Sequence, residues 1–321
     1  MKKNILITGG SGFIGSNLAN YLAKKNFKVI VIDDLSVGDK RNLNKNRNIK
    51  FLKKNINQIN SIKIKEKIDC CIHLAAKAQI LINTKDENQY FEDNVTGLQK
   101  TLNFCKKKGI KKFIFASSAS VYGDTKNKKV TENMILSPLH YYAFSKYIGE
   151  KIIKKYCKLN KMNFYILRLF NIYGEKSNAV VAKFIAQYLQ NKTITIYGNG
   201  KQSRDFVHVD DVIDIINKLI VKNLTSNIFN VGSSKSTKIN QLKSYISNSH
   251  KSIKLDKRFD DIEKSIADIS KAKKILKWSP KKKIENGVKD MIEKDYLRLT
   301  KIKLDTIESQ KKLIKSFNKK K

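Results

Sequence analysis

The chain has 321 residues, 66 of them Lys or Arg against 28 Asp or Glu, giving a formal net charge of +38. It is long enough to bury a large core and exceeds the usual single-domain size, so two lobes are expected. No apolar run reaches the length of a membrane span and the first strand begins at the N-terminus, which excludes a membrane-spanning class and favours a cytoplasmic protein over an exported one. Cys70, Cys71, Cys105 and Cys157 lack metal-ligand spacing and read as reduced packing residues, so no metal site is expected. The charge could mark a nucleic-acid binder. The lysines, however, are scattered over nearly every exposed helix face and do not alternate with aromatics as in an RNA-binding sheet. We read them as a drift of composition toward Lys, Asn and Ile, with no nucleic-acid partner and a field that draws in anionic substrates.

In chain order, residues 4–8 form a short apolar run suited to a strand buried on both faces, and Ile14, Leu18, Tyr21 and Leu22 then recur at helical spacing. Between them lies Thr8-Gly9-Gly10-Ser11-Gly12-Phe13-Ile14-Gly15. Gly10, Gly12 and Gly15 have the spacing that lets backbone approach a pyrophosphate and lets the helix pack on the strand, with the helix N-terminal amides facing the phosphates. A second strand over 29–32 ends at Asp33, about twenty residues past the turn. There a carboxylate accepts from a ribose diol and repels a 2′-phosphate, so NAD is favoured over NADP. Strands over 69–74, 112–116 and 164–169 alternate with helices over 88–108 and 142–159. This rhythm predicts an α/β protein with a Rossmann-type, doubly wound parallel sheet. The NAD-binding domain is expected over 1–172 and a smaller substrate-binding lobe mainly over 173–321, with segments near 204–234 returning to the first domain. In the lobe a helix is read over 179–190, a short strand over 194–197, a segment over 204–211 that turns back toward the sheet, and a late strand over 228–231. Short helices follow from Lys235, residues 251–268 read as loop, and the basic stretch 301–321 reads as a peripheral helix with a frayed end.

The catalytic reading rests on Tyr142 and Lys146, four apart on one helix face. An ammonium and an oxidised nicotinamide both favour phenolate, so the phenol, ordinarily near pKa ~10, is expected to be lowered toward the range of a general base. Ser118, at the C-terminal end of a parallel strand, sits where such sheets bind ligands and can hold the reacting oxygen or relay its proton.

With these residues in place, the chain resembles the NAD-dependent sugar epimerase/dehydratase family of extended short-chain dehydrogenases/reductases, and within it the enzymes that epimerise UDP-hexoses at C4. The resemblance runs from residue 1 to about 288. It is carried by TGGSGFIGS at Thr8, DDLSVG at Asp33, HLAA at His73, DNVTG around Asn94, SSASVYGD at Ser117, YYAFSK at Tyr141, LRLFNIYG at Leu167, RDFVHVDDV at Arg204, NVGS at Asn230 and ADISKAKKILKWSP at Ala267. It implies Tyr142 as base, Lys146 as the group that binds the nicotinamide ribose and tunes the phenol, and Ser118 as the assisting hydroxyl. It further implies a cofactor site of Gly9, Gly10, Gly12, Phe13, Ile14, Gly15, Asp33, Asn55, Ile56, Leu74, Ala75, Ala76 and Asn94, with Tyr142 and Lys146. Asn171, Arg204 and Arg258 are implied at the nucleotide diphosphate, and Ser265 beside the sugar C2 substituent, where a small residue admits an N-acetyl group. A homodimer through a four-helix contact is the family habit. His73 reads as a satisfied core histidine.

Three departures stand out. Lys54-Asn55 replaces a usual Gly-Asp that contacts adenine, Arg258-Phe259-Asp260-Asp261 replaces Arg-x-Gly-Asp, and Glu175-Lys176-Ser177 replaces a frequent Gly-Pro-Arg. Dehydratases of the family carry Asp-Glu after the hydroxyl residue, and Ala119-Ser120 stands here. The implied reaction is reversible oxidation at C4 of a UDP-sugar, with a decarboxylase, a reductase or a dehydratase as alternatives. A dinucleotide-dependent protein that binds nucleic acid is a further alternative, opposed by the intact Ser118, Tyr142 and Lys146.

Overall fold

A computed structural model describes residues 3–78, 87–125, 128–256 and 262–304. In chain order the first half comprises β1 (Asn4–Thr8), α1 (Phe13–Lys24), β2 (Lys28–Asp33), β3 (Ile49–Lys53), β4 (Cys70–His73), α2 (Glu87–Phe91), α3 (Gly97–Lys107), β5 (Lys112–Ser118), β6 (Lys129–Val130), α4 (Tyr141–Leu159), β7 (Asn163–Leu169) and β8 (Asn171–Tyr173). The second half comprises α5 (Val180–Leu189), β9 (Ile194–Tyr197), β10 (Ser203–Arg204), β11 (Phe206–His208), α6 (Val209–Val221), β12 (Asn227–Val231), β13 (Thr237–Lys238), α7 (Ile239–Ile246), β14 (Ser252–Leu255), β15 (Lys264–Ala267), α8 (Ser270–Leu276) and α9 (Ile284–Leu304).

A seven-stranded parallel sheet in the order β12-β7-β5-β4-β1-β2-β3 forms the base. Period two along β1 divides its side chains between two cores. Ile5 and Ile7 join the one containing Leu18, Val212 and Ile216 of α1 and α6, and Leu6 joins the one containing Leu98, Leu102 and Ile153 of α3 and α4. Both faces are thus covered, as a parallel sheet requires, and the doubly wound expectation holds. The four cysteines are buried and free.

The second lobe has its own core, with Tyr173, Phe184, Ile194 and Leu242 buried together. Beside it lies a four-stranded sheet in the order β13-β10-β15-β6. Residues 204–211 turn back to the large sheet without pairing with its strands: Ser203 and Arg204 pair with β13 and β15, β11 pairs with β8, and Val207 and Val209 are buried in the core that holds Ile5 and Ile7. Residues 251–268 are not all loop. They contain β14 and β15, four residues each with one lysine apiece, short enough to leave no clear alternation. The helix expected over 88–108 is broken into α2, a π-turn over Glu92–Thr96, and α3. Of the tail expected as a peripheral helix, 301–304 belong to α9 and the remainder lies outside the described residues. Among the described residues, no helix is long and apolar enough to cross a membrane.

Candidate active site

The turn after β1 is held in the shape a dinucleotide needs. Gly9 has φ +70°, and a Cβ there would lie 2.6 Å from the backbone nitrogen of Ala75. The turn and the Leu74-Ala75-Ala76 segment therefore pack backbone to backbone, with Leu74 N–H donating to Thr8 O. A Cβ on Gly15 would lie 2.2 Å from Gly9 O, which is how closely α1 approaches the turn. Gly12 faces open space, its virtual Cβ meeting only Gly9 O at 3.5 Å. No side chain caps α1 and no acidic residue stands in its first turn. The leading amides of α1, on Phe13 and Ile14, are thus open to an anion.

Asp33 is buried at the end of β2, its Oδ2 accepting from Ser11 N–H at 2.8 Å and its Oδ1 from Leu35 N–H at 2.9 Å. Each oxygen keeps acceptor capacity for a ribose hydroxyl. Asn55 is committed at both ends. Its Oδ1 accepts from Asn57 N–H and caps the short turn over Ile56–Ser61, while its Nδ2 donates to Asp34 Oδ2 at 2.7 Å. An aspartate at 55 would set a second carboxylate against Asp34, a physical reason for the amide here. Ile56 is buried beneath that turn. Asn94, in the π-turn, grips Lys77 through both backbone groups and donates to Ser145 Oγ at 2.9 Å. It therefore joins the 74–77 segment to α4.

The catalytic candidates come together at the end of β5. Tyr142, on the first turn of α4, is hydrogen-bonded to Ser118. Lys146, one turn on, is buried with Nζ donating to Ala116 O at 2.8 Å and lying 5.9 Å from the Tyr142 ring centre. The expectation that Lys146 depresses the phenol is corrected for the chain by itself. Burial pushes Tyr142 up to about 12, opposed by the Ser118 hydrogen bond and reinforced by Tyr90, and burial brings Lys146 down to about 7. Without further charge the pocket favours both groups neutral.

Sequence spacing alone missed Ser120. Its N–H and Oγ both donate to Ser118 Oγ, at 3.2 and 2.9 Å, which leaves the Ser118 hydroxyl proton for the phenol oxygen. The signal was the i, i+2 serine pair in SSAS, a local turn pattern. His73 also departs from expectation. Nδ1 pairs with Thr8 Oγ1 at 2.8 Å, but the buried Nε2 has no partner among the described residues, and burial brings the ring down to about 3, so it stays neutral.

In the second lobe, Arg204 and Ser265 are side by side in the β10–β15 pairing, Ser265 buried and Arg204 half-buried. Arg204 Nη1 donates to Ser203 O and Ile262 O, both at 2.8 Å. Asn171 is half-buried and joined to Asp205 O through backbone and side chain. Asp205 is fully buried and also accepts from Ser233, Ser234 and Ala267, so it holds β10, β15 and the 233–234 turn in one arrangement. Arg258, with Phe259, Asp260 and Asp261, lies outside the described residues. The Glu175-Lys176-Ser177 departure has local partners: Glu175 pairs with Lys294 of α9 and Lys176 Nζ donates to Asn42 O. Among the described residues no cluster of His, Cys, Asp or Glu could hold a metal.

The sequence pattern described as the NAD dependent epimerase/dehydratase family matches residues 5–232. The chain belongs to this family. It is an NAD-dependent enzyme, and the open Gly12 turn, the uncapped α1 and Asp33 fit that cofactor. Among solved structures it is similar to a UDP-glucose 4-epimerase of Thermotoga maritima with UDP-glucose, 33% identical with a TM-score of 0.85, covering 92% of this chain and 99% of that one. It is similar to a UDP-N-acetylglucosamine 4-epimerase of Methanobrevibacter ruminantium in complex with UDP-N-acetylmuramic acid, 32% identical with a TM-score of 0.84, covering 94% and 100%. A dTDP-D-glucose 4,6-dehydratase of Dictyostelium discoideum is 37% identical over 252 residues, 72% of this chain and 58% of the relative.

Proposed function

We propose that the protein interconverts UDP-hexoses at C4, acting on UDP-glucose and UDP-galactose and also on their N-acetylated counterparts. The observation that carries this reading is the Tyr142 phenol bonded to Ser118 above a buried Lys146, at the strand ends that face the glycine turn. Asp33 holds the adenosine ribose diol, the Phe13 and Ile14 amides hold the pyrophosphate, and Lys146 holds the nicotinamide ribose. NAD, once bound, would supply reversible hydride exchange at C4 of the sugar, so that no net redox occurs. Ser118 fixes the O4 hydroxyl while Tyr142 takes its proton and later gives it back. Because burial keeps the phenol protonated in the chain by itself, Tyr142 would need the positive charge that oxidised NAD supplies in order to act as base. Asn171, Arg204 and Arg258 bind the diphosphate. Ser265, next to Arg204, leaves room at C2 for an N-acetyl group.

Dehydration is the main competitor, since a dehydratase is among the relatives. It requires acid and base groups to remove water across C5 and C6, and the residues after Ser118 are Ala119 and Ser120, with Ser120 occupied in bonding Ser118. A homodimer through α3 and α4 is part of the proposal. Phe144 and Tyr141 are 42% and 43% exposed on α4, and Phe144 meets Phe91 edge-on and stacks on Tyr147 in one aromatic group.

The test is incubation with UDP-, dTDP- and GDP-hexoses followed by product separation. C4 epimers of UDP-galactose and UDP-N-acetylgalactosamine are expected, with no 4-keto-6-deoxy sugar. Accumulation of that deoxy sugar, or salt-sensitive RNA binding with no conversion, would overturn the reading. Conversion of plain hexoses alone, or an unchanged sugar preference in Ser265→Tyr, would remove Ser265 from its assigned place.

A further inference from the structure

Tyr142, Lys146 and Glu150 lie four residues apart along one stripe of α4. Three consecutive residues at the end of β5 each meet one of them: Ala116 O accepts from Lys146 Nζ at 2.8 Å, Ser117 Oγ donates to Glu150 Oε1 at 2.7 Å, and Ser118 bonds Tyr142. Glu150 is 1% exposed and is held from below by Arg168, 2% exposed, in a two-pronged pair: Nε to Oε1 at 2.9 Å and Nη2 to Oε2 at 2.7 Å. Arg168 sits on β7 directly opposite Ser117 in the β5–β7 register, so the arginine, the serine and the glutamate converge by strand pairing.

We propose that Glu150 and Arg168 are positioning residues that fix, through Ser117, the height of Tyr142 and Lys146 on α4 against Ser118. Among the described residues the partners of the two side chains are each other, Ser117, Tyr122 and Glu132 O, so both act through others. A buried ion pair is a poor source of stability, because the cost of desolvating two charges roughly cancels their attraction, and apolar residues of similar volume often serve as well. What apolar residues cannot supply is a directional bond of fixed length. Here that bond joins the helix carrying the base to the strand carrying its hydroxyl partner. The far end of the pair is anchored too. Arg168 Nη1 donates to Tyr122 OH at 2.9 Å and to Glu132 O at 3.0 Å, Tyr122 OH donates to Asn230 Oδ1 at 2.6 Å, and Asn230 Nδ2 donates to Val130 O at 2.8 Å on β6. The clamp thus connects the catalytic helix to the small sheet that carries Arg204 and Ser265. Displacement of a reacting group by about 1 Å can cost on the order of 100-fold in rate, so a device that holds α4 in register has a direct kinetic value.

The role in turnover rests on the epimerase reading, and the experiment separates the two. Glu150→Asp, which withdraws the carboxylate by one methylene, and the apolar double variant Glu150→Met with Arg168→Met are compared with wild type. Three quantities are read: thermal unfolding, kcat and KM for UDP-galactose, and the phenolate of Tyr142 by ultraviolet difference titration against Tyr142→Phe. The titratable groups around Tyr142, namely Lys146, Tyr90 and the His140 ring stacked on it, are the same in all. The expected result is cooperative unfolding near the wild-type temperature, KM within about twofold, kcat down by roughly 10- to 100-fold, and a phenolate titration moved upward as the Ser118 bond loosens. A folded Glu150→Asp enzyme with unchanged kcat and unchanged phenolate titration would overturn the proposal, as would a loss of rate no larger than the loss of folded protein. If wild type epimerises none of the sugars, the functional reading fails, and the phenolate titration still decides whether the clamp sets Tyr142 against Ser118.

Discussion

At the scale of single residues, the site shifts two ionisable groups, the half-buried Tyr142 and the buried Lys146, toward their neutral forms. Removing the proton acceptor alone should leave the cofactor in place, so Tyr142→Phe is expected to retain bound NAD and lose about 100- to 10,000-fold in kcat. Near-normal turnover in that variant would take Tyr142 out of the mechanism. Ser120→Ala removes one of two donors into Ser118 Oγ, so a loss of about tenfold in kcat is expected with KM nearly unchanged. Lys146 gives a prediction with a definite sign. Its pKa falls from 10.5 to about 7 on burial. Between those values the unfolded chain binds a proton there and the folded chain does not, so stability rises with pH across that window. The rise has a ceiling of roughly 5 kcal/mol. Urea unfolding of cofactor-free protein from pH 7 to 10 should show this climb in wild type and a flatter profile in Lys146→Met. Parallel profiles would mean that the folded lysine keeps its proton.

Elements show how far local pattern reaches. Around Gly9 the change from period two to period 3.6 is legible because each period spans several residues, and the parallel sheet follows from repeating that pattern. The meeting of Tyr142, Lys146 and Ser118 is legible only through the known company these residues keep. Ser117, Glu150 and Arg168 carry no mark of their convergence, which is made by the β5–β7 register and by the way α4 lies over it. Two-residue strands such as β10 and β13 are invisible for a related reason: their pairing is decided by Asp205 gathering the backbone of three segments. The end of α6 is a comparable case. Lys112 Nζ donates to the carbonyls of Leu219, Ile220 and Lys222 at 3.0, 2.9 and 2.8 Å, capping the helix with a positive charge from another element. Lys112→Met should cost about 1–2 kcal/mol, seen as a lower Tm, while Lys111→Met, at an exposed neighbour, should leave Tm unchanged. Equal effects from the two would show that the carbonyls find water at no cost.

For the molecule as a whole, the charge of +38 acts with opposite signs on two events. A UDP-sugar brings a diphosphate, so the field raises its local concentration at the cleft. A second copy of the chain brings the same positive charge, so the field opposes dimerisation. In the proposed dimer the aromatic group on α4 would have to overcome that repulsion, since α3 and α4 themselves end in Lys106, Lys107 and Lys158. Salt screens both effects, the Debye length shrinking from about 30 Å at 0.01 M to about 3 Å at 1 M. Raising the salt across that range should therefore increase KM for the UDP-sugar about tenfold with little change in kcat, while sedimentation shows the population moving from monomer toward dimer. The two trends are separable. A KM that ignores salt would place substrate capture entirely in short-range contacts such as Arg204, whereas a dimer that weakens with salt would mean that α3 and α4 meet through complementary charge instead of through Phe144 and its neighbours.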